Sequence, residues 1–246
     1  MKYNKNVLDL LDRISGMSEN KIILSSKGDS IVSSSRNNSF NPYILRFEKE
    51  LFDFTDKTEK IFFTKFNEFY QLVNTFESPD IGVKVDSEID RVLFEVSKDT
   101  NKIRYATQDP DILSKNEEIE KFGFKNLLAS FDLSSSVIKE LKKFANLLDI
   151  QQVKLTSKDS SVNVLLHNSN HSNSYEKKLE LEDNNKDFDF NISKTSISIL
   201  PDLNYRVSIF KETDSDGDSE HFVKFDYMND DNIDLGIVAR EFEADF

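Results

Sequence analysis

Short runs in which apolar and polar positions alternate fill most of the chain, the signature of strands with one buried face. In the first half the pattern predicts strands at Lys21–Ser26, Ser30–Ser34, Tyr43–Phe47, Lys60–Phe63, Ile81–Val85, Arg91–Val96 and Lys102–Ala106. In the second it predicts Leu127–Leu133, Gln152–Thr156, Val162–His167, Glu176–Leu181, Phe188–Ile192, Tyr205–Phe210, His221–Tyr227 and Asp234–Ala239. Turn residues such as Lys27-Gly28-Asp29 and Ser157-Lys158-Asp159 punctuate them.

A helical period surfaces in only four places, each directly after an extended stretch. Lys2-Tyr3 leads through Asn4 into Lys5–Ile14, and Phe62-Phe63 through Thr64 into Lys65–Phe76. Asp132-Leu133 leads through Ser134 into Ser135–Leu148, and Asn191-Ile192 through Ser193 into Lys194–Leu200, which Pro201 closes. Asn4, Thr64, Ser134 and Ser193 are predicted N-caps, because a short side-chain oxygen can accept an orphan N–H of the first turn. They are spaced 60, 70 and 59 residues apart, and the longer middle interval holds the polar stretch Thr107–Lys121, which reads as a linker. Without it the chain repeats one pattern four times: strand, helix, then three or more strands.

Composition narrows the function classes. With no Cys, the chain has no disulfide, thiolate metal site or cysteine nucleophile. It opens Met1-Lys2-Tyr3-Asn4 without an apolar run, and no stretch nears 18 apolar residues, so neither a signal peptide nor a membrane span is expected. A soluble intracellular protein is the expectation. Six Gly and no phosphate-loop spacing argue against a nucleotide cradle. The net charge of −13 argues against nucleic acid unless the positive charge is segregated onto one surface.

Four stretches carry a resemblance: Met1-Lys2-Tyr3-Asn4-Lys5 with Leu8, Leu10 and Leu11; Ile61–Phe76; Phe131-Asp132-Leu133-Ser134 with the helix behind it; and the close Glu241-Phe242-Glu243-Ala244-Asp245-Phe246. With two copies of a β-α-β-β-β unit in each of two domains, the chain resembles the DNA sliding clamps of T-even-type bacteriophages, relatives of the archaeal and eukaryotic proliferating-cell clamps. The resemblance implies an α+β clamp fold with helices lining a ring and sheets outside. It also implies an N-terminal domain at 1–108, a connector at 109–124 and a C-terminal domain at 125–246. Such a protein is not an enzyme and needs no cofactor or metal. It encircles double-stranded DNA without sequence preference, tethers the DNA polymerase and is opened by an ATP-driven clamp loader. Self-association as a homotrimer, support of late transcription and a place in the cytoplasm of an infected bacterium, away from membranes, are implied as well.

The charge pattern fits that implication. The segments Lys2–Ile14, Thr64–Phe76, Ser134–Leu148 and Ser193–Leu200 carry net +1, 0, +2 and +1, which leaves −17 on the rest. Lys2, Lys5, Arg13, Lys65, Lys139, Lys142, Lys143 and Lys194 are therefore the expected DNA-facing residues. In the third segment Val137, Ile138, Leu141, Ala145 and Leu148 share one face, with Lys139, Lys142, Lys143 and Asn146 opposite. Such a lining attracts phosphates without reading bases, as sliding requires. If helices about 10 Å wide line a ring side by side, four leave a hole of about 3 Å, eight about 15 Å and twelve about 28 Å. Three chains are the smallest cyclic set that admits a duplex with its water.

Other residues invite a chemical reading. The resemblance implies an apolar pocket for partner peptides near the connector and C-terminal strand, with Leu113, Phe122, Phe124, Ile237, Phe242 and Phe246 as candidate anchors. Asp214, Asp216, Asp218 and Glu220 imitate a calcium loop but lack its spacing, so a solvated turn is the expectation. His167 and His171 fall in a polar loop, His167–Ser174, read as a local elaboration. Three rivals stay open: an open, monomeric clamp-fold factor; a β-rich phage structural or adaptor protein using its acidic C-terminal region; and a metal-dependent nuclease built on the Asp214–Glu220 acids.

Overall fold

Apolar runs that expose one polar edge per residue pair must find neighbours, and here they join into antiparallel sheets on which the amphipathic runs pack. The computed structural model describes residues 4–19, 21–35, 42–52, 59–77, 79–86, 91–108, 121–158, 160–168, 171–184, 186–213 and 215–242. Two units result, Met1–Asn37 with Ile44–Ile119, and Asn38–Tyr43 with Glu120–Phe246. Residues 109–120, most of the expected connector, lie outside the described residues, as does the expected first strand at Lys2-Tyr3.

The first unit runs α1 (Lys5–Ser15), β1 (Ile22–Lys27), β2 (Ser30–Ser35), β3 (Tyr43–Glu48), β4 (Lys60–Phe63), α2 (Phe66–Asn74), β5 (Asp80–Asp86), β6 (Arg91–Lys98) and β7 (Asn101–Ala106). Its strands order as β3-β2-β1-β4 and β5-β6-β7. Val7, Leu8, Leu10, Leu11 and Ile14 bury one face of α1, and Asn4 Oδ1 accepts the Val7 N–H at 3.2 Å to cap it. Aromatic packing dominates beneath α2: Phe69 lies 5.0 Å from Phe63 and 4.8 Å from Phe94, centroid to centroid. Each such pair adds about 0.5–1.5 kcal/mol beyond its buried area.

The second unit runs β8 (Leu127–Leu133), α3 (Ser135–Leu147), β9 (Gln152–Lys158), β10 (Ser161–Asn168), β11 (His171–Glu180), β12 (Asp183–Asn184), β13 (Asp189–Ser193), α4 (Lys194–Ser198), β14 (Tyr205–Thr213), β15 (Ser219–Tyr227) and β16 (Ile233–Arg240). Its strands order as β12-β8-β14-β15-β16 and β11-β10-β9-β13. Ser134 and Ser193 cap α3 and α4 by accepting N–H groups of Val137 and Thr195. Asp149 ends α3 in the left-handed region, φ +51°, and the Ile150 N–H returns to Ala145 O at 2.9 Å. Among the described residues the β-α-β-β-β pattern occurs three times from β4 onward, after an opening α1-β1-β2-β3, with the extra two-residue β12 inserted before the last repeat.

Two local expectations need correction. The N-cap of α2 is Lys65, not Thr64, and no side chain caps it. Phe66 opens the helix fully buried, 5.1 Å from Phe63, so core contact fixes the start in place of a polar cap. The expected loop His167–Ser174 is instead the tip of a hairpin: β10 reaches Asn168 and β11 begins at His171, with Asn168 opposite His171. Ladder pairing makes polar residues extended there without help from hydrophobic burial.

Candidate nucleic-acid interface

In each unit a polar tie joins the helix pair. In the first unit the Tyr70 hydroxyl of α2 donates to Asp9 Oδ1 of α1 at 2.7 Å. In the second, the Lys142 ammonium of α3 donates to Asp202 Oδ1 at 2.7 Å and to the Leu200 carbonyl, just beyond α4. Away from the sheets each pair presents a polar surface.

On α3 that surface consists of Ser136, Lys139, Lys143, Asn146 and Leu147, with Leu147 at 70% exposure. Lys139 and Lys143 form no ion pair among the described residues. Lys142 lies on the flank, half-buried, with its ammonium held by Asp202. On the other flank Glu140 accepts from the Tyr175 hydroxyl and from Lys177 Nζ at 2.9 Å, both on β11. The Tyr175 hydrogen bond first, and Lys177 next, hold the Glu140 carboxyl below the usual carboxylate range. Phe144 stacks on Tyr175 at 4.2 Å beside them. Lys194, first residue of α4, is half-buried.

Across α1 and α2 the charges are mixed. Lys5 and Arg13 are exposed on α1, with Asp9 and Asp12 half-buried between them. Burial first, then repulsion from Asp9, pushes the Asp12 carboxyl up, against a smaller pull from Arg13. Lys65 is exposed and 2.8 Å from Glu68. Lys2 lies outside the described residues.

The expected peptide-binding residues scatter. Phe122 and Phe124 lie half-buried on the face of the β8-β14-β15-β16 sheet opposite Val207, Ile209 and Val223. Phe124 stacks on Phe210 at 5.1 Å and Phe222 at 4.8 Å, while Glu212 Oε1 accepts the Lys125 and Asn126 N–H groups at 2.7 and 3.0 Å. Phe122 reaches over β16 at Gly236, where a Cβ would come within 3.6 Å of its ring and 3.3 Å of Asp226 Oδ1. Sequence reasoning missed Phe210, Phe222 and Arg240, whose guanidinium lies 5.6 Å from the Phe222 ring centroid; their outward register on β14, β15 and β16 was the available signal. Ile237 is 0% exposed, a core residue, so it cannot anchor a partner. Phe242 is 40% exposed and its N–H donates to Asn191 O at 2.8 Å. Just before it, Glu241 Oε2 accepts from both His221 N and His221 Nδ1, at 2.9 and 2.8 Å. Leu113 and Phe246 lie outside the described residues, as does Asp214. Among the described residues no group of three or more His, Asp or Glu could hold a metal ion. No helix among them is long and apolar enough to cross a membrane.

Two units, each of paired helices backed by sheets and spelled out by repeated β-α-β-β-β segments, define the sliding-clamp fold. Solved clamps match nearly end to end. The proliferating cellular nuclear antigen of Entamoeba histolytica superposes with TM-score 0.70 at 15% identity, covering 96% of this chain and 95% of that one. The PCNA2–PCNA3 complex of Sulfolobus tokodaii gives 0.68 at 10% identity, covering 96% and 95%. The A. fulgidus PCNA bound by the C-terminal region of FEN-1 gives 0.65 at 14%, covering 97% of each. No family model matches the chain, and no curated protein matches it in sequence. The likeness is one of fold.

Proposed function

We propose that the chain is the subunit of a DNA sliding clamp, a homotrimeric ring that encircles duplex DNA and confers processivity on a replicative polymerase. The observation that carries this reading is the recurring strand-helix-strand pattern, in a fold whose superposition covers 95% of the Entamoeba histolytica clamp chain. A cationic α3 surface on a chain of net charge −13 supports it, since phosphates are the sequence-independent feature of DNA. The protein carries out no reaction; topological linkage does the work.

The sheet edges support self-association. Among the described residues β7 and the ten-residue β11 each end a sheet with one side unpaired. Natural proteins rarely leave such edges open, and head-to-tail pairing of successive copies would close both. In this reading residues 1–108 and 125–246 are the clamp domains and 109–124 the connector. The A. fulgidus clamp takes the C-terminal region of FEN-1; this one takes the peptide tail of its polymerase and of an ATP-driven loader. On the resemblance of the four stretches given above to T-even-type phage clamps, we further assign it to an infected bacterial cytoplasm, with a second role in late transcription.

The test is synthesis on primed circular DNA by the cognate polymerase. Products of full circle length should require this protein, the loader and ATP together. Unchanged product length with all three present would contradict the proposal.

A further inference from the structure

The two helix pairs do not share the work of meeting DNA equally. On α1 and α2 the described charges are Lys5, Arg13 and Lys65 against Asp9, Asp12 and Glu68, a net of zero. Lys65 is neutralised by Glu68 at 2.8 Å, and Asp9 is fixed in place by the Tyr70 hydroxyl. On α3 and α4 the balance differs. Glu140 is neutralised by Lys177 and Lys142 by Asp202, which leaves Lys139, Lys143 and Lys194, a net of +3. Two ties of similar length thus have opposite electrostatic results. In the first unit the tie holds a carboxylate on the helix surface, and in the second it removes one lysine and leaves three.

We propose that the DNA backbone is held by the second unit's helix pair through Lys139, Lys143 and Lys194, and that Asp9 and Asp12 keep the first unit's pair off the phosphates. The inference rests on the clamp reading, in which all four helices face the duplex. A phosphate approaching α1 meets Asp9 and Asp12 between Lys5 and Arg13, so attraction and repulsion cancel within one Debye length, about 8 Å at physiological salt. On α3, Lys139 and Lys143 stand one helical turn apart on the exposed face without an opposing carboxylate, so attraction there is uncompensated. Holding the backbone through one pair per protomer leaves the duplex free to move past the other.

Three variants and one retention assay test this. Lys139→Gln with Lys143→Gln and Lys194→Gln should weaken binding to a short duplex at least tenfold at low salt. It should also flatten the slope of log K against log salt by about 1 for each phosphate that is no longer neutralised. Lys5→Gln with Arg13→Gln should change affinity by less than twofold. Asp9→Asn with Asp12→Asn should raise affinity several-fold and steepen the salt slope. Native mass and circular dichroism confirm that each variant assembles as the parent does. Equal losses from the two cation sets, or no gain from the Asn pair, would overturn the division of labour while leaving the clamp reading intact. The retention assay uses linear duplex with both ends blocked after binding. A parent protein that leaves it as fast as unblocked duplex would overturn the clamp reading, and this inference with it.

Discussion

The Lys142 ammonium lies 2.7 Å from Asp202 Oδ1, sixty residues away, and turns a lysine with the sequence signature of a DNA contact into a fastener between α3 and the end of α4. Both side chains are partly screened from water, at 22% and 34% exposure, so the pair is worth more than a surface salt bridge and less than a buried one. Lys142→Ala should therefore lower unfolding free energy by about 1–2 kcal/mol, measured by urea denaturation, and leave DNA affinity within twofold. A large affinity loss with unchanged stability would restore Lys142 to the DNA surface.

Capping gives a sharper contrast. Ser134→Ala removes the side chain that accepts the Val137 N–H and should cost about 1 kcal/mol. Thr64→Ala precedes the actual cap position of α2 and should cost under about 0.5 kcal/mol. Chemical denaturation of the two variants side by side decides the point, and equal costs would mean that α2 is capped from Thr64 after all.

Alkaline pH probes the phenols. Burial, and secondarily Glu68, pushes the Tyr105 hydroxyl up to about 12; burial, then its hydrogen bond to Glu140, does the same for Tyr175. Between the ordinary phenol range near 10 and these values, the unfolded chain has released protons that the folded chain keeps. Stability from the neutral phenols is thus fully present below pH about 10 and is lost as pH rises through about 12. Ultraviolet titration should show a late-ionising class among the seven Tyr, and unfolding midpoints should fall across this window. Replacing Tyr105 and Tyr175 by Phe should flatten that fall.

Ile237 and Phe242 should separate packing from recognition. Ile237→Ala opens a cavity in the second unit and should cost about 2–5 kcal/mol. Phe242→Ala, at an exposed position, should change stability by less than about 0.5 kcal/mol yet weaken the tail peptide of the cognate polymerase several-fold in titration calorimetry. Unaltered peptide affinity would remove Phe242 from the partner surface.

Strand and helix positions were legible because burial on one face writes a period into the chain, and because Asn4, Ser134 and Ser193 stand where a cap oxygen is needed. What escaped was set by distance or by pairing. Asp183–Asn184 has no apolar residue and is extended only because Ser130 and Ala129 of β8 pair with it. Polar His171–Ser174 becomes strand by its ladder with β10. Five consecutive residues of β16, Leu235–Ala239, are buried on both faces, so no alternation marks Ile237 as core instead of rim. The cations of the site were readable one by one, but their partners were not. Whether Lys142 or Lys143 is free depends on Asp202, which no local pattern announces.

Retention on DNA tests the central claim most directly. Protein bound to a linear duplex carrying biotin at both ends is challenged with high salt, with and without streptavidin on the ends, and its residence time is measured. Encirclement predicts rapid loss through open ends and retention many times longer when both are blocked, since salt weakens the hold on phosphates but leaves topology unchanged. Equal residence times with open and blocked ends would show a protein that merely adheres to DNA, and the clamp account would be wrong.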